Sequence, residues 1–193
     1  MYEYIRGTIT DLSPASIVVE ASGVGFIASI SLNTYSKLNG KKEVILLTHQ
    51  VVREDAHLLY GFADKNERDI FRSLISVNGV GANTAIMMLS YLTTDEIISA
   101  ISTENVMVLK AVKGIGLKTA QRIIIDLKDK LGKMPETGQI FHSTDNTIRN
   151  EALSALVMLG FAKKDAEKVV SGIMQEQPGV AVESVIKQSL KRL

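Results

Sequence analysis

The chain of 193 residues has no cysteine and no tryptophan, three prolines, three histidines, and a net charge of only +1. Without cysteine there is no disulfide frame, no thiolate nucleophile and no zinc–thiolate site, a usage that fits a reducing, cytoplasmic location. His49, His57 and His142 do not stand at metal-ligand spacing with one another or with a carboxylate pair, so neither a metal nor another cofactor is expected. No glycine-rich stretch ends in Gly-Lys-Ser/Thr, which leaves out an ATP-binding loop of the P-loop kind. No apolar run is long enough to span a bilayer. The opening Met-Tyr-Glu-Tyr-Ile-Arg lacks a signal-peptide layout, so no membrane partner is expected. Asp126 and Asp129 lie three apart beside Lys128 and Lys130 and read as an ion-paired solvent face, not as catalytic carboxylates. Any bond cleavage or energy input would have to come from a partner.

What the chain does have is a repeat. Residues 77–85 read Val-Asn-Gly-Val-Gly-Ala-Asn-Thr-Ala, and residues 112–120 read Val-Lys-Gly-Ile-Gly-Leu-Lys-Thr-Ala. Apolar residues precede both turns (Ile70, Phe71, Leu74 and Ile75; Val106, Val108 and Leu109), and helix-like patterns follow over 85–89 and 120–131. Each unit therefore reads as helix, tight turn, helix. Glycine permits unusual backbone angles and close approach of a ligand. The first N–H groups of a helix lack partners inside it, and the helix dipole adds partial positive charge at the same end. Together these suit an anion such as a phosphate, held by backbone and without reading a base. Gly79, Gly81, Gly114 and Gly116 are the candidate backbone positions, with Asn83 and Thr84 beside the first turn and Lys118, Thr119 and Arg122 beside the second. Lys118 and Arg122 are four apart and share a helix face. The alternative is a helical hairpin kept only for packing.

Gly23-Val24-Gly25 is an internal control. Strand-like residues flank it, Ile17 to Val19 before and Phe26, Ile27 and Ile30 after, so it reads as a β-hairpin turn. The glycines alone therefore carry little; the flanking helices and the Thr-Ala extension carry the reading. Charge is ambiguous. Nucleic-acid binders are often plainly basic, whereas here residues 1–62 carry −1, residues 63–134 +2, residues 135–146 −2 and residues 147–193 +2. A positive surface must come from clustering or from backbone N–H groups.

The fold class expected is α+β and multidomain. Residues 1–62 hold five strand-like runs, 2–10, 16–21, 25–32, 43–52 and 58–62, which suggest a small closed barrel of the oligonucleotide-binding type, without excluding another small barrel. Residues 63–132 read as a tandem helix-hairpin-helix domain, with capping boxes at Asp64–Glu67 and Thr93–Glu96. Residues 133–146, poor in large apolar side chains, read as a flexible linker. Residues 147–193 show three apolar stripes: Ile148, Leu153, Leu156, Val157 and Leu159; Ala166, Val169, Val170 and Ile173; Val182, Val185, Ile186 and Leu190. They read as a three-helix interaction module, or else as a cap docked on the body. Between the last two strands, Glu54 and Asp55 fall at a loop tip. A solvated turn is the default reading; in a DNA binder the pair would repel phosphates and keep strands apart.

The order of barrel, twin hairpins, linker and bundle, at this length, closely resembles the RuvA family, the Holliday-junction-binding subunits of the bacterial branch-migration machine. The most specific stretches are Val51 to Phe62, the two hairpins, and Ala155 to Phe161. The resemblance implies that Glu54 and Asp55 match an acidic pin at the junction centre, and that Gly79, Gly81, Gly114, Gly116 and Lys118 match positions meeting the phosphate backbone. It further implies a ubiquitin-associated-like bundle that contacts the RuvB ATPase, work alongside the RuvC resolvase, and assembly as a homotetramer or two facing tetramers. A non-catalytic, structure-specific DNA-binding subunit is thus the leading expectation. An enzyme such as a hairpin-containing nuclease or glycosylase, or a scaffold whose hairpins only pack, are the alternatives.

Overall fold

The computed structural model describes residues 2–131, 144–177 and 179–193. The chain divides into two compact units, Met1–Pro135 and Glu136–Leu193. Most of the linker expected over 133–146 lies outside the described residues, and its last three positions, 144–146, belong instead to the first helix of the second unit, which starts at Thr144.

Five strands, β1 (Tyr4–Leu12), β2 (Ser16–Ala21), β3 (Val24–Ser29), β4 (Glu43–Val52) and β5 (His57–Phe62), form a closed barrel in the order β1-β2-β3-β5-β4. Every pairing is antiparallel except β3 with β5, which is parallel at Ser29 and Tyr60. Long β1 serves both neighbours, pairing with β4 through its first half and with β2 through its second, and a register shift between Ile9 and Asp11 bends it. The β2–β3 turn has positive φ at Ser22 (51°) and Gly23 (82°), as a two-residue hairpin turn requires, so the control reading of this turn holds. Alternation of strand side chains buries Ile5, Ile17, Val19, Ala28, Val44 and Leu46 inside.

The expected strand over 25–32 stops at Ser29, and a helix, α1 (Leu32–Leu38), follows it between β3 and β4. Ser31 starts α1: its Oγ accepts from the Thr34 N–H at 2.9 Å. Asn39 caps the end of α1, its N–H donating to Tyr35 O, and Gly40 turns the chain with φ +79°.

The helical region holds α2 (Lys65–Ile75), α3 (Ala82–Tyr91), α4 (Thr94–Ser102), α5 (Val106–Lys110) and α6 (Leu117–Leu131). Its core includes Ile70, Phe71, Leu74, Met88, Leu89, Ile97, Ile101, Leu109, Ile123 and Leu127, and Tyr60 and Phe62 of β5 belong to that same core. Phe71 makes the seam, with ring centroids 5.1 Å from Tyr60 and 4.9 Å from Phe62. Barrel and hairpins are therefore fixed to each other by shared apolar packing.

A buried carboxylate reinforces this seam. Asp64 caps α2, accepting from the Glu67 N–H at 2.9 Å, but the other half of the expected capping box is absent. The Glu67 side chain turns inward instead, where it accepts from Ser31 Oγ and, at 2.8 Å, from Thr34 Oγ1. Thr34 Oγ1 in turn accepts from the Ala63 N–H at 3.1 Å. Two hydroxyl donors outweigh one exposed backbone N–H, so the local motif yields to a tertiary contact. At Thr93 the capping box with Glu96 is complete, and among the described residues the Glu96 side chain has no other hydrogen-bond partner.

The second unit packs α7 (Thr144–Met158), α8 (Lys163–Glu176) and α9 (Val182–Arg192) around Ala152, Leu156, Ala166, Val170, Ile173 and Val185. The second expected stripe lines this core. Of the first, Ile148, Leu153 and Leu156 face this core and Ala152 joins them, while Val157 and Leu159 are exposed, because burial follows the four-residue step through positions 148, 152 and 156. In the third stripe Val185 is buried, but Leu190 is exposed and its neighbour Ser189 is buried instead.

Candidate nucleic-acid interface

The two repeated segments fold alike almost residue by residue. In the first hairpin Val77 N–H donates to Leu74 O (3.1 Å), Val80 N–H to Val77 O (3.1 Å), and Ala85 N–H to Gly81 O (2.9 Å). In the second, Val112 N–H donates to Leu109 O (3.3 Å), Ile115 N–H to Val112 O (3.1 Å), and Ala120 N–H to Gly116 O (2.9 Å). Gly79 has φ +92° and Gly114 φ +90°, the third position of a turn that needs positive φ. Burial repeats as well: Val77, Val80 and Ala85 match Val112, Ile115 and Ala120 inside, and Thr84 and Thr119 are both half-buried. The exception is Ala82, buried where its counterpart Leu117 is exposed.

The outer glycines have a different reason to be glycine. Gly81 caps α3 with φ −83° and ψ 165°, angles open to any residue. A Cβ built on Gly81 or Gly116 would meet no atom of the chain within 4 Å. Neither backbone angle nor internal packing requires glycine at 81, and packing does not require it at 116. A Cβ at either position would stand in open space beside the first turn of α3 or α6. Gly81 has no side chain with which to satisfy the first-turn N–H donors of α3.

Side chains around the turns differ between the copies. Lys118 and Arg122 are exposed and, with Gln121, Ile125 and Asp126, form one shallow face of α6. Asp126 therefore shares the cationic face and tempers it. In the first copy the position of Lys118 is held by Asn83, whose Oδ1 accepts from the Tyr60 hydroxyl at 3.0 Å. Arg72, upstream of that turn, is engaged by Glu3 at 3.4 Å. The link from Tyr60 to Asn83 is invisible in the sequence, since it joins a strand to a helix 23 positions away with no spacing rule between them.

Glu54 and Asp55 occupy the tip of the β4–β5 hairpin, exposed, above a loop closed by Arg53 N–H donating to Ala56 O at 2.8 Å. The strands below are paired at Val52 and His57, and Val51 and Leu58 pack against the core of the helical region. The acidic tip thus rises from a hairpin whose base is bound to the same body that carries the glycine turns.

His49 is half-buried, with its ring edge-on to Phe71 at 5.4 Å; burial, then the Arg72 and Arg68 charges, hold its pKa below the ordinary value. Among the described residues no cluster of three metal-ligating side chains occurs, and no helix is long and apolar enough to cross a membrane.

Comparison with known proteins agrees with this geometry along the whole length. The RuvA N-terminal domain matches residues 1–61, a SAM-like tandem helix-hairpin-helix matches residues 71–129, and the RuvA C-terminal domain matches residues 147–193. A protein of Bacteroides thetaiotaomicron described as Holliday junction branch migration complex subunit RuvA is 53% identical over 201 residues, covering all of both chains. Proteins of the same description from Bacteroides fragilis and Flavobacterium psychrophilum are 51% and 48% identical, again over the full length of each chain. This chain belongs to the RuvA family. As a RuvA-family chain it has the expected closed barrel, tandem hairpins and three-helix C-terminal domain. In that last domain the consecutive Val157, Met158 and Leu159, at and just past the end of α7, are all exposed.

Proposed function

We propose that this chain is a non-catalytic subunit that binds four-way DNA junctions and serves a branch-migration complex. The duplicated hairpin carries the reading: two turns with matching hydrogen bonds, positive-φ inner glycines and outer glycines whose missing Cβ has no internal reason. The names of the full-length relatives support the junction as the substrate. Gly79, Gly81, Gly114 and Gly116 hold duplex arms by their phosphates, with Asn83, Lys118, Thr119 and Arg122 as side-chain donors, so the grip is independent of base sequence. Glu54 and Asp55 stand at the crossover, where two carboxylates repel phosphates and favour an open, planar junction. Assembly as a homotetramer would present eight hairpins to four arms, so that a modest grip at each sums to firm binding despite a net charge of +1 per chain. The C-terminal bundle recruits the RuvB ATPase, with Val157, Met158 and Leu159 as its apolar contact, and the assembled complex hands junctions to the RuvC resolvase.

The test compares binding of pure protein, without ATP, to a four-way junction and to a linear duplex of matched sequence. Preference for the junction, with no cleavage, is expected. Equal affinity would sink the junction reading, and cleavage by pure protein would restore the enzyme reading. Affinity should fall steeply with salt, about one unit of log–log slope per phosphate contact.

A further inference from the structure

The two hairpins are alike in backbone and unlike at the second helical residue, where one has Lys118 and the other Asn83. A lysine needs little guidance, because its charge attracts a phosphate whatever its rotamer. An asparagine is different. Its amide carries an acceptor and a donor at the same distance from the backbone, and with the acceptor outward it would repel an anion.

Asn83 is exposed, and Tyr60 settles which end faces out. The Tyr60 hydroxyl donates to Asn83 Oδ1 at 3.0 Å, so the acceptor end is taken and the Nδ2 hydrogens are left for another partner. Among the described residues no other group bonds the Asn83 side chain. Tyr60 itself has little freedom: it is 2% exposed, paired in β5 with His49 of β4, and packed on Phe71. Its hydroxyl donates to the Asn83 carbonyl oxygen, and burial, with the Arg53 charge opposing, raises the phenol pKa and so keeps that donor proton in place. The frame is fixed at the other end of α3 too. Asn33 of α1 donates to Leu89 O at 2.6 Å and to Leu92 O at 3.0 Å, and the Leu32 N–H donates to Ser90 Oγ at 3.1 Å. Barrel residues thus hold α3 at both ends.

We propose that Tyr60 is a positioning residue for DNA binding: it orients the Asn83 amide so that the first hairpin offers a fixed, uncharged donor where the second offers a mobile cation. The two grips then differ in kind. The second supplies charge, and the first supplies a donor whose place is set by the barrel that also carries the acidic tip. This inference rests on the phosphate-binding reading of the hairpins.

The experiment measures junction affinity of the full chain at fixed salt for Tyr60→Phe, Asn83→Ala, the double variant, Tyr60→Phe with Asn83→Lys, and Lys118→Ala. Tyr60→Phe keeps the ring on Phe71 and removes only the hydroxyl. It should weaken binding about fivefold, the worth of one modest hydrogen bond, with little change in melting temperature. The double variant should be no weaker than Asn83→Ala alone, because without the amide the hydroxyl has nothing to orient. Lysine at 83 should restore the affinity lost by Tyr60→Phe, since a cation needs no orienting partner. Wild-type affinity for Tyr60→Phe, losses that multiply in the double variant, or no rescue by lysine would each overturn the proposal. If Lys118→Ala also leaves binding unchanged, the phosphate reading of the hairpins fails with it. A loss at Lys118→Ala alone would remove only the role of Tyr60.

Discussion

Alanine at the glycine turns separates what the backbone needs from what a ligand needs. Gly79→Ala forces a Cβ onto φ +92°, a region costing an L-residue roughly 1–2 kcal/mol. Because that Cβ would meet no atom within 4 Å, the cost is conformational, with no clash to add. Gly81→Ala is the contrasting case, with φ −83° and an equally open surround. Two small effects oppose each other there. Alanine is the poorer N-cap by several tenths of a kcal/mol, and it restricts the unfolded chain, a gain of about 0.4–1 kcal/mol. The net should lie within about 0.5 kcal/mol, or about 2 °C in melting temperature. Junction binding should respond the other way round. A methyl group at 81 stands where a phosphate must pass to reach the first-turn N–H groups, and one charge-assisted hydrogen bond is worth about 1.5–3 kcal/mol. That corresponds to a loss of roughly tenfold or more. Thermal unfolding and fluorescence anisotropy with a labelled four-way junction, run on both variants, decide it. If Gly81→Ala binds as tightly as the unaltered chain, the outer glycine does not serve phosphate approach. If it melts well below Gly79→Ala, the argument from backbone angles is wrong.

Three other perturbations have outcomes fixed by particular contacts. Burial raises the pKa of Glu67, with the hydroxyls of Ser31 and Thr34 opposing, so the folded chain holds this proton more tightly than the unfolded one. Its contribution is therefore complete below the ordinary carboxyl value and is lost as pH rises through the folded value. In urea unfolding, the stability of the unaltered chain relative to Glu67→Gln should increase from pH 7 to pH 5; a flat difference would refute the burial argument. Thr93→Ala removes the cap of α4 and should cost about 1 kcal/mol, and the Glu96 carboxyl, held low by the Thr93 N–H and hydroxyl, should return toward its ordinary pKa in an NMR titration. Neutralising the acidic tip with Glu54→Gln and Asp55→Asn should leave junction affinity near its original value while changing base unstacking at the crossover, read by 2-aminopurine fluorescence. A large loss of affinity would contradict the role assigned to the tip.

Much of this architecture was legible because it is local. The glycine turns are written in nine consecutive residues, and the same hydrogen bonds follow twice from the same letters. Thr93 and Glu96, three residues apart, form the box that their letters predict. The misreadings arise where a local pattern does not settle the outcome. Asp64 to Glu67 has the letters of a capping box, yet Glu67 turns to Ser31 and Thr34, which lie 36 and 33 residues earlier. The strand expected over 25–32 overruns Ser29 because Ile30 and Leu32 extend the apolar run, and Ser31, which caps α1, looks like one more polar residue in an alternating pattern; the rest of α1 leaves no strong signal of its own. The stripe on α7 included Val157 and Leu159 because hydrophobicity alone does not say which apolar side chains the second unit leaves at its surface.

The same distinction applies to the candidate site. Residues whose backbone makes the site, the four turn glycines, are found by pattern; residues that aim a side chain are not. Asn83 sits in the repeat where Lys118 sits in its copy, and from the sequence the exchange reads as a weakened grip. Placed against Tyr60, it reads as a different kind of grip, one that depends on a hydroxyl supplied by the barrel. Ser31, Asn33 and Thr34, from the short helix α1 and its cap, complete the attachment of the barrel to α2 and α3. The element hardest to read from the sequence thus adds a second attachment between the barrel and the helices, beside the packing of Val51, Leu58 and Tyr60 that ties the acidic tip's hairpin to the same core. A binder of branched DNA needs such a frame more than it needs net charge, because attraction to phosphate is available to any cation, whereas holding one arm at a set distance from a crossover requires a rigid connection between the two.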